Sequence, residues 1–188
     1  MGLPHFNRKT CKRPHRQTRW CVITGAPCSG KTTVINALEQ KGFRVVPEAA
    51  RAFIDDQRAR GLSLAEIRFD ALTFERQILI KKTQTERRLP VDKTIFLDRA
   101  VPDSIAYFLH AGLDPDEPTK VSQKFKYRRI FFLDRLPCAA DSARIEDDAT
   151  AATLAVVLKK SYAGLGYTLI RIPVLPVELR VDLILQHI

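Results

Sequence analysis

The sequence predicts an α/β fold in which a mostly parallel five-stranded sheet carries helices on both faces. Five short runs rich in β-branched and aromatic residues alternate with longer segments of helical periodicity. The runs are mostly apolar, which is typical of parallel strands that are buried on both faces. A length of 188 residues is sufficient for one domain with a substantial core.

The five predicted strands are short, and each is followed by a polar residue, a glycine or a proline. They are "WCVIT" (20–24), "FRVV" (43–46), "TIFLD" (94–98), "RIFFLD" (129–134) and "YTLIRI" (167–172). Ligands bind at the carboxyl ends of the strands in sheets of this kind. We therefore expect the functional residues to lie at the ends of these runs or directly after them.

Helical periodicity predicts six helices between and after the strands, which span 30–41, 48–60, 63–88, 102–112, 149–163 and 176–188. Ser63 and Glu66 form a capping-box pattern at the start of the third helix. Its predicted apolar face contains Ile67, Ala71, Phe74 and Ile78. Residues 112–118 are predicted to form a loop because they combine glycine, proline and aspartate.

The chain is basic, and much of the charge is concentrated near the N-terminus. The net charge is +10, and residues 1–19 contain six cationic side chains and no acidic one. A basic balance suits a polyanionic partner such as nucleic acid, a nucleotide or a membrane surface. We interpret residues 1–18 as a disordered tail, with a nucleic-acid-binding arm and a transit peptide as alternatives. Residues 19–188 are predicted to form a single domain.

The sequence contains no pattern of a membrane span, a disulfide framework or a zinc site. No apolar run approaches the roughly 18 residues that a membrane-spanning helix needs. Cys11, Cys21, Cys28 and Cys138 form no CxxC pair and lack the spacing of metal ligands. Reduced thiols are typical of cytoplasmic proteins, so we expect a cytoplasmic protein without a membrane partner.

Residues 25–33, "GAPCSGKTT", match the phosphate-binding P-loop pattern GxxxxGK[ST] between a predicted strand and a predicted helix. Glycines allow the backbone to approach phosphate closely, and successive N–H groups at a helix N-terminus form an anion site. The pattern predicts that ATP and Mg²⁺ bind here, with Lys31 at the β- and γ-phosphates and Thr32 as a magnesium ligand. Nucleotide contacts are predicted for Gly25, Ala26, Pro27, Cys28, Ser29, Gly30, Lys31, Thr32 and Thr33. The Cys28 thiol is either a reactive group near the helix N-terminus or a small filler.

Two acidic residues end predicted strands, and one of them is predicted to organise the magnesium ion. Asp98 ends the third strand and Asp134 ends the fourth. We favour Asp98, because Arg99 follows it directly and places a cation beside the acid in the predicted cleft. Asp98 and Arg99 are both catalytic candidates. Alternatively, Asp98 is only a turn residue at the end of a strand. Asp134 is predicted to cap the loop that follows it.

Glu48 follows the second predicted strand in "VVPEAAR". A carboxylate at this place can accept a proton from an acceptor hydroxyl as a general base. Alternatively, its charge only stabilises the N-terminus of the helix that begins there. Arg51 lies one turn later and is predicted to pair with Glu48 or to bind an anionic group of the substrate. Glu48, Arg51 and Arg99 are the candidate substrate-binding residues.

Residues 134–148 lack strong periodicity, carry Arg135 and Arg144, and are predicted to form a lid. An arginine-bearing segment over a triphosphate would exclude water and neutralise charge that develops during the reaction. Arg144 is therefore a catalytic candidate, and the alternative for the segment is a solvated loop.

Taken together, the motifs resemble the P-loop kinase-like proteins grouped as the NadR-like "AAA domain" family. The resemblance rests on "ITGAPCSGKTT", "VVPEAAR", "FLDRAVPDSIAYF", "DSARIED" and "GYTLIRIPVLPVELRVDLIL", and it spans nearly all of the chain after the tail. It implies a three-layer P-loop NTPase fold with strand order 2-3-1-4-5 and a lid after the fourth strand. It also implies that Glu48 stands where related deoxynucleoside kinases keep their catalytic base, that Asp98 and Arg99 are their acid-arginine pair, and that Arg144 is a lid arginine.

These residues favour a kinase that transfers the γ-phosphoryl group of ATP to a nucleoside, a nucleotide or a similar small metabolite. A base at Glu48 suits a hydroxyl acceptor, whereas Arg51 and Arg99 suit an acceptor that carries phosphate, and both stay open. The alternatives are a regulatory nucleotide switch without an acceptor, and a polynucleotide-end kinase or nucleic-acid-linked ATPase that uses the basic tail. No NKxD-type guanine motif is present, so adenine is expected.

Overall fold

The computed structural model of the protein describes residues 16–136 and 148–188. Within these ranges the strands β1 to β7 span Arg16–Gln17, Trp20–Thr24, Arg44–Val46, Ile95–Asp98, Phe125–Lys126, Arg129–Leu133 and Leu169–Ile172. The helices α1 to α8 span Lys31–Gln40, Ala49–Ala59, Leu64–Arg68, Ala71–Arg88, Asp103–His110, Asp116–Ser122, Asp148–Gly164 and Val177–Leu185. The regular alternation of strands and helices confirms the predicted α/β class.

Five of the strands form one all-parallel sheet in the order β3-β4-β2-β6-β7. Counted along the chain, these five strands stand in the order 2-3-1-4-5, as the family resemblance implied. A detail that the sequence did not predict is a separate parallel pair between β1 and β5, in which Arg16 lies opposite Phe125. The central strand β2 has every residue buried, so the P-loop that follows it begins at the middle of the sheet.

The core lies on both faces of the sheet, because successive side chains of a strand point to opposite faces. Cys21 and Ile23 of β2 pack with α1 and α8, which cover one face. Trp20 and Val22 belong to a cluster on the other face, which includes Tyr162 of α7. The result is a helix, sheet and helix arrangement in three layers.

The predicted helix over residues 63–88 is wrong in one respect, because the structure divides it into α3 and α4. The capping box at α3 is confirmed: the Ser63 hydroxyl accepts a bond from the Glu66 N–H, and Glu66 accepts one from the Ser63 N–H. Asp70 then caps a new helix by accepting a hydrogen bond from the Leu72 N–H at 3.0 Å. A side chain that competes for backbone donors in this way ends one helix and starts the next.

The predicted loop over residues 112–118 is also wrong in part, because α6 begins within it at Asp116. The Asp114 carboxylate accepts a hydrogen bond from the Asp116 N–H at 2.9 Å. Asp116 and Glu117 stand in the first turn, where negative charge stabilises a helix. The sequence analysis gave more weight to the glycine and prolines of this segment than to its capping residues, and therefore missed the start of the helix.

The predicted tail and lid lie largely outside the described residues. Residues 16 and 17 of the tail form β1, and the Thr18 N–H donates to the Lys126 carbonyl at 3.0 Å. Residues 1–15 and 137–147, and with them Arg144, are not described. Among the helices of the described residues, none combines the length and the hydropathy that crossing a bilayer requires.

Candidate active site

The loop between β2 and α1 has the backbone that its glycines predict. Gly25 has a φ of 149°, and a Cβ atom added there would lie 2.6 Å from the Leu133 carbonyl oxygen. Gly30 has a φ of 77° and caps α1. Cys28 has a φ of 63°, a left-handed conformation that residues other than glycine rarely adopt. The loop therefore turns tightly before the N-terminus of α1, and helix N-termini bind anions through their backbone N–H groups.

Lys31 points back into the loop instead of into solvent. Its Nζ donates to the Ala26 carbonyl at 2.8 Å and to the Ser29 hydroxyl at 3.1 Å. Burial, and the nearby charge of Arg99, lower the pKa of Lys31 below its ordinary value. A negative charge placed beside this ammonium group would stabilise its protonated form.

Thr32 and Asp98, the two predicted magnesium ligands, lie next to each other at the carboxyl end of the sheet. The Thr32 hydroxyl lies 3.4 Å from Asp98 Oδ2, and Asp98 is 3% exposed. Burial, together with the charge of Glu48, raises the pKa of Asp98. Its Oδ1 atom is buried and has no hydrogen-bond partner within the described parts of the chain. Hydroxyl and carboxylate oxygens are ligands that Mg²⁺ prefers, so these two residues fit the ion.

Asp134, the competing strand-end acid, has a different environment. Its Oδ2 atom accepts from Arg171 Nε of the neighbouring strand at 2.7 Å. The ion pair connects the ends of β6 and β7, whereas Asp98 faces the P-loop. Asp98 therefore stays the residue predicted to organise the magnesium ion.

Arg99 joins the general-base candidate to the P-loop. Its Nε atom donates to Glu48 Oε1 at 2.8 Å, and its Nη1 atom donates to the Gly25 carbonyl at 3.1 Å. Burial alone would raise the pKa of Glu48, but the charges of Arg99 and Lys31 outweigh it and lower this pKa below its ordinary value. Glu48 is therefore ionised at neutral pH and able to accept a proton.

Arg51 does not make the contact with Glu48 that was one of its two predicted roles. It lies exposed on α2, and in residues 16–136 and 148–188 it forms no ion pair. Glu48 pairs with Arg99 instead, because Arg99 is buried next to Glu48. The Arg99 N–H donates to the Ile23 carbonyl at 3.0 Å, which holds the Arg99 backbone in place. Substrate binding stays the predicted role of Arg51.

Asp103 is a site residue that sequence reasoning missed. It is fully buried at the start of α5 and accepts hydrogen bonds from Thr24 and Tyr162 at 2.5 Å each and from the Ala100 N–H at 2.9 Å. Its Oδ1 atom also lies 3.4 Å from Arg99 Nη1. Arg99 and Asp103 are four residues apart at the start of α5, and this spacing could have indicated from the sequence that the two side chains pair.

Arg180 is the second residue that the sequence analysis missed. It lies on α8, only 2% exposed, and its Nη1 atom donates to the Ser29 carbonyl of the P-loop at 2.7 Å. A Cβ atom on Gly30 would lie 3.3 Å from the same nitrogen. The contact spans 151 positions of sequence, so no local pattern could have indicated it.

A cavity of about 350 Å³ opens beside Asp98 and Arg99, between the ends of β3 and β4 and helix α4. Pro47, Lys82 and Glu86 contribute to its wall. Lys82 is buried and donates to the Ser104 hydroxyl at 3.2 Å. A larger cavity of about 740 Å³ between α4, α5 and α6 contains none of the candidate site residues in its wall.

A family profile described as "AAA domain" matches residues 20–180. The chain belongs to this family. The match begins at the first residue of β2 and includes the P-loop, Glu48, Asp98, Arg99 and Arg180. Comparison with curated proteins gave no match.

Solved structures with the same fold include kinases of nucleosides and nucleotides. NadR in complex with NR superimposes with a TM-score of 0.67 at 14% identity, and the match covers 90% of this chain and 50% of that one. Thymidylate kinase from Ehrlichia chaffeensis gives 0.64 at 12% identity, covering 91% and 98%. Deoxyadenosine kinase from M. mycoides, with products dcmp and dcdp, gives 0.60 at 14%, covering 89% and 97%.

These comparisons place the fold among NadR-like P-loop kinases. The chain spans about half the length of the NadR chain and nearly the whole length of the thymidylate and deoxyadenosine kinases. Sequence identity is too low for the likeness to carry an activity, so the function is argued from this chain's own residues.

Proposed function

We propose that the protein transfers the γ-phosphoryl group of ATP to a hydroxyl group of a small nucleoside- or nucleotide-like metabolite. The observation that carries the proposal is the pair of bonds from Arg99 to Glu48 and to the Gly25 carbonyl. They hold an ionised carboxylate beside the phosphate-binding loop. A nucleotide switch without an acceptor has no need for a base in that position, whereas a kinase of hydroxyl groups does.

The triphosphate would lie in the P-loop, with Lys31 at its β- and γ-phosphates. Thr32 and Asp98 would hold Mg²⁺, and the ion would supply positive charge against the negative charge that develops on the phosphate groups. In the described ranges no group of three or more His, Cys, Asp or Glu side chains could hold a metal by itself. The ion would thus depend on phosphate oxygens for part of its coordination, so that metal and nucleotide bind together.

The chemical step is an in-line displacement at the γ-phosphorus. The acceptor oxygen forms a new P–O bond while the bond from the γ-phosphorus to the bridging oxygen of the β-phosphate breaks. The electron pair of the broken bond leaves with ADP, and the proton of the acceptor hydroxyl passes to Glu48. Arg99 orients the carboxylate, and Asp103 in turn orients Arg99.

The acceptor would occupy the cavity beside Asp98 and Arg99. Its volume of about 350 Å³ is at the lower end of the range for small-molecule sites. Its wall contains more cationic side chains than carboxylates: Lys81, Lys82, Arg88 and Arg99 against Glu86 and Asp98. This excess of positive charge suits a metabolite that carries a phosphate or carboxylate besides its reacting hydroxyl.

The test is a screen for ADP release from ATP across a panel of nucleosides, nucleotides and related metabolites. We expect one acceptor class to raise ADP release well above the rate with ATP alone, in a reaction that requires Mg²⁺. Glu48→Gln should lower this turnover by about 10²-fold or more while ATP affinity is kept. Lys31→Met is the control that should lose ATP binding itself.

Two results would count against the proposal. Equal ADP release with and without every acceptor would favour a hydrolytic switch. Full turnover in Glu48→Gln would remove Glu48 as the base and leave its carboxylate with a structural role only.

A further inference from the structure

Cationic side chains gather at the end of the molecule where the parallel strands begin. The Arg19 N–H, directly before β2, donates to the Val91 carbonyl at 2.8 Å, and the Arg128 N–H donates to the Trp20 carbonyl at 2.8 Å. These contacts bring the starts of β2, β4 and β6 together. We name the cationic side chains around them the basic pole: Arg16, Arg19, Arg44, Lys93, Lys124, Lys126, Arg128 and Arg129.

The charge of the basic pole is largely uncompensated. No ion pair joins any of its eight side chains to a carboxylate of residues 16–136 or 148–188. In residues 89–94, before β4, Asp92 is the one acidic residue, and it stands beside Lys93. Six of the eight side chains are exposed, and the other two, Lys126 and Arg128, are half-buried. A positive field of this kind attracts a polyanion.

We propose that the basic pole binds the phosphate backbone of nucleic acid. Five of its eight cations are arginines, whose planar guanidinium groups bind phosphate in a bidentate manner. A membrane surface is a poorer fit, because surface-binding segments combine cations with apolar anchors. The large apolar side chains that are exposed in the described residues are Leu62, Phe69, Leu72, Ile80, Val156, Val174, Leu175 and Leu179, and none lies in a segment of the basic pole.

The basic pole is separate from the proposed kinase site. Arg19 and Gly25 stand at opposite ends of β2, and six residues of extended chain span about 20 Å. A strand bound at the pole therefore does not present its end to Lys31, which distinguishes this surface from the substrate site of a polynucleotide-end kinase. The inference does not rest on the proposed phosphoryl transfer and holds whether or not the chain is a kinase.

The experiment measures binding of the full chain to a fluorescent mixed-sequence 20-nucleotide DNA, single-stranded and duplex, over a series of NaCl concentrations. We expect the logarithm of affinity to fall linearly with the logarithm of salt concentration. The triple variant Arg16→Gln, Arg19→Gln, Arg44→Gln should bind about ten-fold more weakly in 0.1 M NaCl. Its salt slope should be smaller by about 2 for the single strand and by about 3 for the duplex, because three phosphate contacts are lost.

The matched control removes the same charge elsewhere: Arg58→Gln, Arg60→Gln, Arg68→Gln. These exposed arginines lie near the start of α4, and the 18 residues of that helix separate them from the pole by about 27 Å. The control should bind DNA as the unchanged chain does. Unaltered thermal melting of both triple variants would show that each is folded.

Several outcomes would overturn the proposal. DNA binding that is equal in both triple variants would be one, and loss of binding only on deletion of residues 1–15 would be another. Binding to vesicles with anionic lipid that is lost in the pole variant, without any binding to DNA at low salt, would assign the surface to membranes instead.

Discussion

Arg99 and Glu48 form an ion pair at 2.8 Å although 51 positions separate them in the sequence. The two residues follow neighbouring parallel strands, β4 and β3, whose carboxyl ends meet at one edge of the sheet. Arg99 holds this position in a left-handed backbone conformation, with a φ of 65°. Strain of this kind in a residue other than glycine is typical of functional sites, where surrounding contacts maintain it.

The ion pair predicts how the activity depends on pH. The charge of Arg99 holds the pKa of Glu48 below its ordinary value against the effect of burial. Arg99→Gln removes that charge, so the pKa of Glu48 should rise, and the acidic limb of the pH–activity profile should move to higher pH. Arg99→Lys keeps the charge and should move the limb much less. The profile of turnover against pH measures this shift, and an identical limb in both variants would contradict it.

The P-loop predicts a sharp difference between two glycine substitutions. A Cβ atom on Gly25 would lie 2.6 Å from a backbone oxygen, whereas one on Gly42 would have nothing within 4 Å. Both residues have positive φ values, so Gly42→Ala should cost about 1 kcal/mol through backbone conformation alone. Gly25→Ala should cost more, about 2–3 kcal/mol, and should abolish ATP binding. Thermal melting and nucleotide titration measure the two effects, and equal behaviour of the variants would contradict the steric argument.

The contact from Arg180 to the Ser29 carbonyl predicts a role in shaping the P-loop. Two other nitrogens of this buried side chain, Nε and Nη2, have no partner in the described part of the chain, so the guanidinium is costly to keep. Arg180→Met keeps much of the packing volume but removes the donor. We expect little change in the free energy of unfolding, since the lost bond is offset by relief of this cost. ATP affinity should fall about ten-fold, because the P-loop loses the hydrogen bond that holds its backbone at Ser29.

Arg180→Lys is the companion variant for this prediction, because an ammonium group can restore a single bond to Ser29. Partial recovery of ATP affinity in Arg180→Lys would support the bond as the cause. Affinity equal to that of the unchanged chain in Arg180→Met would show that α8 has no influence on the loop.

Glu86 predicts a dependence of stability on pH. It is buried on α4 and accepts bonds from the Val101 N–H at 2.9 Å and the Tyr127 hydroxyl at 2.7 Å. Burial raises the pKa of Glu86 from 4.5 to about 7, so the folded chain binds this proton more tightly than the unfolded chain. Its contribution to stability is therefore complete below pH 4.5 and lost as the pH rises to about 7, at a cost of about 3 kcal/mol.

Glu86→Gln should remove this dependence, because the amide does not ionise. The free energy of unfolding of the variant, relative to the unchanged chain, should increase between pH 5 and pH 7.5. Urea titrations at several pH values measure it, with Glu39→Gln, at an exposed position of α1, as the control. A constant difference across this range would refute the assignment to Glu86.

The local elements were predictable where the pattern was periodic or the motif was specific. The strand, loop and helix around the P-loop were predicted without tertiary information. The continuous apolar run of β2 indicated the strand, and the glycines, Lys31 and Thr32 after it indicated the loop and the start of α1. The break between α3 and α4 was missed because the apolar period continues across it, while the cap of Asp70 interrupts the backbone. The start of α6 was missed for a similar reason.

The sequence by itself determined the fold class and the residues at the carboxyl ends of the strands, because strand periodicity and P-loop spacing are local properties of the chain. Only the tertiary structure decided the partners: that Glu48 pairs with Arg99 and not with Arg51, that Asp103 holds Arg99, and that Arg180 supports the P-loop. It also decided that cations distant in sequence lie together at the end of the sheet where the strands begin. These contacts join residues up to 151 positions apart. They arise from the order of the strands and the packing of α8, which no short window of sequence contains.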